Sequence, residues 1–242
     1  FRSAASLTSG LMVKLLASAL GVALLAGACS SGTADTTTTT TLPTVEEILT
    51  GAAATMQAVE TLRYEIELSG AEITLLGVEL RSARGQYLAP ESSQAILEAG
   101  VGGLTIELAT IAISGTSWLT NPLTGAWDEY TGSRAFNPSI IFDPELGWRP
   151  LLTTDLSDVE LVTPVIGDGY VVTGTAAGAR VEVLTAGLVD AQPVDIRFEI
   201  DRDSSVVTRM EFSTTGETGE TLWVLDLSEF DEPVAISPPE LG

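Results

Sequence analysis

Two periods of apolar residues divide the chain. Between residues 45 and 61, apolar side chains recur at steps of three and four residues, which predicts one amphipathic helix. Thr44 is suited to be its N-cap, and Glu46 and Glu47 fall in the first turn, where carboxylates interact favourably with the helix dipole. From Tyr64 the period changes to two, so the chain is expected to continue as β-strands.

Apolar and polar residues alternate along most of the remaining chain, which is typical of strands with one buried face. Strands are predicted at 64–68, 78–81, 92–98, 104–113, 116–119, 126–130, 160–165, 169–176, 194–201, 206–215 and 221–227. Within 104–113 the alternation changes phase at Thr110, so a β-bulge is expected there, with Ile111 and Ile113 following it. The short connections favour antiparallel meanders over βαβ units.

Residues 136–156 interrupt the strands with three prolines set among apolar residues. Short helices fit this segment, and Asp143 is placed to cap one that begins at Pro144. Another short helix is predicted at 180–186. An antiparallel sheet of this size must curl or pack against its helices to bury one face. The pattern therefore predicts an α+β fold.

The first 28 residues have the pattern of a secretory leader. Lys14 precedes the apolar run Leu15–Leu25, which is shorter than the roughly 20 residues that a membrane-spanning helix needs. The small residues 26–28 then precede Cys29, the only cysteine of the chain. This arrangement resembles the lipobox of bacterial lipoproteins, although Ala26 stands where a large aliphatic residue is usual. Lipidation of Cys29 is expected, the alternative being a plain signal peptide or a short membrane anchor with an incidental cysteine.

These observations predict four regions. Residues 1–28 are a lipoprotein signal peptide, and 29–43 hold the lipidated Cys29 and a linker containing six consecutive threonines, Thr36–Thr41. Such a tract cannot form a core, so we expect it to be extended and disordered. Residues 44–232 are the folded domain, and 233–242 are a C-terminal tail. The domain is expected on the extracytoplasmic (periplasmic) face of the cell membrane.

Charge and composition exclude several classes of function. The chain has 33 acidic and 11 basic residues, so strong nucleic-acid binding, or binding to an anionic bilayer through a basic patch, is not expected. Histidine is absent and no lysine follows Lys14, which excludes a Ser-His-Asp triad and, in the folded part, a Schiff-base lysine. With one cysteine, a His/Cys metal site is excluded as well. We expect neither an enzyme nor a cofactor.

Only carboxylate chemistry stays open in such a chain. Asp128 and Glu129 could be proposed as a paired-acid glycosidase site, but neighbouring strand residues point to opposite faces. Asp201 and Asp203 could bind calcium, but this pair also suits a hairpin turn. The chain is 45% hydrophobic with a mean hydropathy of +0.30, and this apolar surplus fits a large core, a membrane segment or an apolar ligand cavity.

Several segments, in order and behind the lipobox, resemble the LppX/LprA/LprF/LprG lipoproteins of mycobacteria and related actinobacteria. The resemblance extends from about residue 45 to 227. It rests on 58–64, the Trp118 strand with 123–127, 142–147 with Leu151 and Leu152, 169–175, and 194–201 with 207–210.

The resemblance implies a curved antiparallel half-barrel with helices on its concave face, enclosing an apolar cavity for acyl chains. It implies a lipid or glycolipid as ligand, a membrane anchor, and a transporter or envelope protein as a further partner. The alternative is an envelope scaffold of the same fold with a filled core. Inward strand positions and residues 136–156, which we call the insert, supply the candidate ligand-binding residues, each of which could equally be simple core. They are Ile66, Leu68, Val78, Leu80, Ile106, Leu108, Ile111, Ile141, Phe142, Leu151, Leu152, Phe198, Ile200, Met210 and Phe212.

Overall fold

A computed structural model of the protein, which describes residues 42–75, 77–131, 137–162 and 169–240, contains the predicted first helix. This helix, α1, spans Val45–Ala58. Thr44 Oγ1 accepts a hydrogen bond from the Glu47 backbone N–H at 3.2 Å, and the Glu47 carboxylate accepts one from the Thr44 N–H at 2.8 Å. This reciprocal capping box confirms the predicted helix start. The helix ends before residue 61 because the backbone of Val59 is already extended.

Twelve strands of the described residues form one antiparallel sheet. They are β1 Thr61–Gly70, β2 Ile73–Leu75, β3 Val78–Leu88, β4 Ser92–Val101, β5 Leu104–Ile113, β6 Thr116–Thr120, β7 Trp127–Thr131, β8 Leu156–Leu161, β9 Gly169–Ala176, β10 Val194–Asp201, β11 Val207–Gly216 and β12 Gly219–Ser228. The predicted strand at 160–165 begins earlier than expected, and residues 163–168 lie outside the described part of the chain.

The strands follow a meander with one long-range junction. Their order is β7-β6-β5-β4-β3-β1-β12-β11-β10-β9-β8, and β2 lies beside the first residues of β3. The first strand thus pairs with the last, with Ile66 opposite Leu225. Among the described strands, β7 and β8 each pair with one neighbour only, so the curved sheet does not close on itself. The predicted antiparallel α+β fold is confirmed.

The concave face of the sheet carries the core, and the helical segments cover it. Besides α1, these segments are a 3-10 turn Pro138–Ile141, a π-helical turn Pro144–Trp148, α2 Arg149–Leu152 and α3 Gly178–Leu184. Asp143 Oδ1 accepts hydrogen bonds from the backbone of Glu145 at 2.8 Å and of Leu146 at 2.6 Å, which confirms the predicted cap. The ring of Phe142 lies 4.8 Å from that of Tyr64, so the insert packs directly on the sheet.

The prediction of a β-bulge at Thr110 is wrong. The β4–β5 register runs without a shift from Ser92 opposite Ile113 to Val101 opposite Leu104. Thr110 is only 2% exposed and continues the concave row of Leu108, so a β-branched polar residue occupies a core position. Register shifts occur instead in β3, between Leu80 and Ser82, and in the β8–β9 and β10–β11 pairs.

The residues that follow β12 are hydrogen-bonded to the start of β1. Thr61 Oγ1 donates to the Glu232 carbonyl at 2.6 Å, and the Asp231 N–H donates to the Thr61 carbonyl at 2.8 Å. Residues 42–242 make up one compact unit, and every core side chain described lies within it. This unit therefore has a hydrophobic core of its own, as a domain does.

Candidate functional site

An apolar cavity of about 20 Å³ lies between the concave face of the sheet and the segment that follows α3. On the sheet side it is bounded by β1, β3, β4 and β12, and on the other side by the 3-10 turn and residues 184–188. The lining residues are Tyr64, Ile66, Leu68, Leu80, Ser82, Ala83, Leu97, Ile141, Leu184, Thr185, Ala186, Leu188 and Trp223.

The strand register explains why these sheet residues meet. Ile66 and Leu68 share a face of β1 by alternation, and Leu68 lies opposite Trp223 of β12. On β3 the register shift after Leu80 inserts one extra residue, so the buried row continues at Ala83 rather than at residue 82. The small side chain of Ala83 leaves part of the cavity unfilled.

The segment after α3 forms the opposite wall. Thr185 Oγ1 donates to the Val181 carbonyl at 3.0 Å and accepts from the Val189 N–H at 3.3 Å, so this buried hydroxyl is satisfied within the segment. Ala186 and Gly187 both have positive φ, 50° and 76°, which reverses the chain directly after the helix. The turn places Leu184 and Leu188 against the cavity. We call residues 178–189 the cover.

One ion pair fastens the cover to the insert. Arg180 Nε and Nη2 donate to Asp155 Oδ2 at 3.1 and 2.8 Å, and the Ala177 N–H donates to the Asp155 carbonyl at 2.8 Å. The Arg180 side chain is 12% exposed and that of Asp155 is 30% exposed. Because the Arg180 guanidinium is largely buried, removal of either partner of this ion pair would be destabilising.

The cavity offers an apolar environment without ionisable chemistry. Its described lining includes no carboxylate or guanidinium, and Ser82 and Thr185 are its aliphatic hydroxyls. Burial raises the pKa of Tyr64 far above its usual value, although the hydrogen bond between its hydroxyl and Ser93, at 2.8 Å, opposes that shift. Tyr64 is therefore neutral, and the cavity suits a hydrocarbon group rather than acid–base catalysis.

The predicted ligand-binding residues are distributed over three environments. Those that line the cavity are Ile66, Leu68, Leu80 and Ile141. Those in the packed core, or half-buried against it, are Val78, Ile106, Leu108, Phe142, Leu151, Leu152, Phe198, Ile200, Met210 and Phe212. Ile111 lies on the convex face, opposite Trp118, because the phase change expected before it does not occur.

Sequence reasoning missed most of the lining. Tyr64, Leu97 and Trp223 lie at inward positions of predicted strands, so the same alternation could have identified them. Ala83 was not identified as an inward residue because the register shift in β3 was not predicted. The cover residues carry no local signal for the cavity, because their position depends on packing against strands distant in sequence.

The acidic residues considered for other chemistry make local contacts. The Asp128 carboxylate accepts a hydrogen bond from the Asn121 side chain at 3.1 Å, and that of Glu129 accepts one from Trp118 Nε1 at 3.2 Å. They lie opposite Leu119 and Trp118 and so point to opposite faces of the sheet. Asp201 accepts backbone hydrogen bonds in the β10–β11 turn. Among the described residues, no group of three potential metal ligands occurs.

Two further features bear on the membrane. Cys29 lies outside the described residues, so its lipidation stays a prediction. Within the parts of the chain that are described, none of the helices combines the length and apolar character required to cross a bilayer.

Comparison with known proteins identifies the fold. A family model described as LppX_LprAFG lipoprotein matches residues 44–236. The crystal structure of LprF from Mycobacterium bovis aligns with a TM-score of 0.63 at 14% identity, covering 81% of this chain and 96% of that one. Mycobacterium tuberculosis LppX aligns with a TM-score of 0.56 at 16% identity, covering 80% and 98%. No curated protein matches by sequence. At these identities the structural likeness concerns the fold alone.

Proposed function

The chain belongs to the LppX_LprAFG lipoprotein family, and from that premise we propose that it carries acyl chains of a lipid or glycolipid between its sheet and its cover. The apolar cavity bounded by Ile66, Leu80, Leu184 and Leu188 is the observation that supports this role. Transport of a lipid through water requires an apolar enclosure and no catalytic group. Each buried CH₂ contributes about 0.8 kcal/mol, so a C16 chain contributes on the order of 10 kcal/mol.

The proposal requires the cavity to enlarge when the ligand enters. Pockets for small organic ligands measure about 300–1,000 Å³, whereas this cavity measures about 20 Å³. The cover is the element that can move, since α3 has only seven residues and ends in a reversed turn. Displacing it would expose the sheet residues that line the cavity, including the predicted residues Ile66 and Leu80.

Two buried donors, one in residues 136–156 and one in the cover, lie outside the cavity lining, and movement of the cover would bring them within reach of a polar ligand group. Trp148 Nε1 and Arg180 Nη1 are buried and find no acceptor among the described residues. An unsatisfied buried donor costs about 1–3 kcal/mol. An ester, carbonyl or phosphate oxygen of an entering lipid would remove that cost.

We also propose that lipidated Cys29 anchors the protein at the extracytoplasmic face of the cell membrane. The predicted linker, within residues 29–43, joins this anchor to the folded domain. This anchor is separate from the carried lipid. Cys29→Ala should therefore release the protein from the membrane fraction and leave acyl-chain binding intact. Loss of binding in the released, folded protein would contradict the separation.

The small cavity favours one alternative function. A filled concave core at rest fits an envelope scaffold that recognises a protein and carries no lipid. The scaffold predicts a lipid-free protein, and the carrier predicts a defined set of bound lipids.

Mass spectrometry of organic extracts separates the two functions. The chain without Cys29 is purified from a membrane-containing host, and specific diacyl or triacyl lipids should co-purify at near-stoichiometric amounts. Ala83→Phe places a large ring in the cavity and should reduce bound lipid at least tenfold. Leu188→Trp tests the opposite wall if Ala83→Phe folds poorly, and Ile111→Phe, on the convex face, is the matched control. A lipid-free wild-type protein that also fails to bind added fatty acid would refute the carrier.

A further inference from the structure

The hairpin that joins β4 to β5 ends in an exposed apolar tip, residues 101–104. Leu104 is 71% exposed and Val101 is 43% exposed, and they lie opposite each other in the β4–β5 register. Gly102 and Gly103 between them have φ of 55° and 85°, which permits the tight reversal. Exposed apolar side chains that cluster at a protruding turn mark a contact surface more often than isolated ones do.

The tip continues the apolar row of the cavity out into solvent. Leu97 lines the cavity, Ala99 follows it on the same face of β4, and Val101 is next by alternation. Leu80, another lining residue, lies opposite Ala99. The tip therefore projects from the same end of the sheet as the cavity, two residues beyond it.

The base of the hairpin is held firmly by side chains on the convex face. Arg81 donates to Thr105 Oγ1 at 2.9 Å and to the Glu79 carboxylate at 3.3 Å, so it joins β3 to β5 across β4. This bridge passes directly over Gly100, where an added Cβ would lie 2.7 Å from Arg81 Nη2. These contacts brace the hairpin base, and the Arg81 guanidinium is paired there with the Glu79 carboxylate.

The charge pattern indicates what the tip contacts. Residues 99–106 contain no charged side chain, in a chain that has 33 acidic residues. The neighbouring cation, Arg81, is paired with Glu79 on the convex face. An uncharged, protruding leucine matches the interfacial region of a neutral or zwitterionic bilayer, where burial of apolar area provides the binding energy. The proposed lipid anchor at Cys29 would already hold the protein near such a surface.

We infer that the tip inserts into the surface of a lipid bilayer and thereby turns the cavity end of the sheet toward the membrane. Insertion itself does not require the proposed carrier function. Its purpose, transfer of a lipid between bilayer and cavity, does rest on that function.

Single-cysteine labelling tests whether the tip inserts into a bilayer. The chain from residue 30 onward contains the whole compact unit and no cysteine of its own. Leu104→Cys is labelled with an environment-sensitive fluorophore and mixed with dioleoylphosphatidylcholine vesicles. Its emission should shift to the blue, and bromine-labelled acyl chains should quench it. Glu91→Cys, in the exposed turn before β4 at the opposite end of that strand, is the control and should show neither change.

Vesicle co-sedimentation measures the contribution of the leucine. Leu104→Ser should weaken partitioning about five- to tenfold, as expected for losing one leucine side chain at the interface. Leu123→Ser removes a side chain that is 93% exposed at the β6–β7 turn and should change partitioning less than twofold. Anionic phosphatidylglycerol vesicles should bind less well than zwitterionic ones at low salt because the protein is acidic.

Three outcomes overturn the inference. A probe at 104 that stays in water on every vesicle contradicts insertion, and an equal shift at 91 shows that the surface is not selective. A probe that becomes protected only after solubilised envelope proteins are added assigns the tip to a protein partner instead. Lipid content by mass spectrometry is measured in parallel. A loaded protein with an aqueous tip refutes insertion alone, and an inserting protein that never binds lipid refutes the carrier alone.

Discussion

The ion pair between Arg180 and Asp155 gives the sharpest test of how the cover is held. Asp155→Asn keeps the side-chain shape and the backbone carbonyl that binds the Ala177 N–H. It removes the negative charge from a guanidinium that is only 12% exposed. The variant therefore separates the electrostatic fastening of α3 from its backbone attachment.

The magnitude follows from burial. Breaking a buried ion pair costs about 3–5 kcal/mol, because the remaining charge is left uncompensated. Asp155 is 30% exposed, so solvent screens part of this loss. We therefore expect about 2–3 kcal/mol, and since each 1.4 kcal/mol is a factor of ten, opening of the cover should become about 30- to 150-fold more frequent.

Amide hydrogen exchange measures this opening locally. The amides of Val181 and Thr185, both in the cover, donate hydrogen bonds to the carbonyls of Ala177 and Val181. Their exchange should accelerate by the factor above, whereas amides of β1 and β12 should change much less. Uptake of a fluorescent fatty acid should also become faster if the cover closes the cavity.

The control is the Arg84–Glu107 pair on the sheet, whose side chains are 57% and 61% exposed. Arg84→Gln should cost less than about 0.5 kcal/mol, as exposed ion pairs usually do. The reasoning would be refuted if Asp155→Asn left exchange at Val181 and Thr185 within threefold of wild type. Equal acceleration in β1 and β12 would also refute it, because the pair would then stabilise the whole domain.

Three further predictions concern stability, measured by urea denaturation. Gly85→Ala should destabilise the domain by about 1–3 kcal/mol, because the new Cβ would lie 2.4 Å from the Gln94 carbonyl oxygen and 2.6 Å from Tyr64 Oη. The control is Gly216→Ala, whose new Cβ would have no neighbour closer than 3.9 Å. Thr44→Ala should cost about 0.5–2 kcal/mol by removing the N-cap, whereas Thr50→Ala, exposed on the same helix, should be close to neutral. Hydrogen bonds from Ser204, with a smaller contribution from Asp203, lower the pKa of Asp201. The stabilising contribution of Asp201 should therefore be present above the usual aspartate pKa of about 3.9 and disappear as the pH falls through the lower pKa of the folded state. Asp201→Asn should remove that part of the pH dependence of stability.

Distinct results would contradict each of these predictions. Equal stability of the Gly85→Ala and Gly216→Ala proteins would show that β1 and β4 can both move away from β3 at Gly85. Matching losses for the two threonine variants would remove the capping argument. An unchanged acid transition in Asp201→Asn would mean that other carboxylates account for it.

Local features were predictable from the sequence because they depend on neighbouring residues. The cap formed by Thr44 and Glu47 and the turn capped by Asp143 need only three or four residues each. Strand alternation likewise identified Ile66, Leu68 and Leu80 as inward residues. The same rule failed at Thr110, because it treats threonine as polar while the sheet buries it beside Leu108.

The sequence by itself determined the fold class, the inward face of most strands and the exclusion of histidine and lysine chemistry from the folded part. Composition and alternation are sufficient for these conclusions. Only the tertiary structure decided that β1 pairs with β12, that a shift in β3 turns Ala83 inward, and that the cover lies over Ile66 and Leu80. It also decided the cavity volume. That volume is the small difference between the space enclosed by the curved sheet and its cover and the volume of the side chains that fill this space. Those side chains come from segments distant in sequence, so no local pattern predicts it.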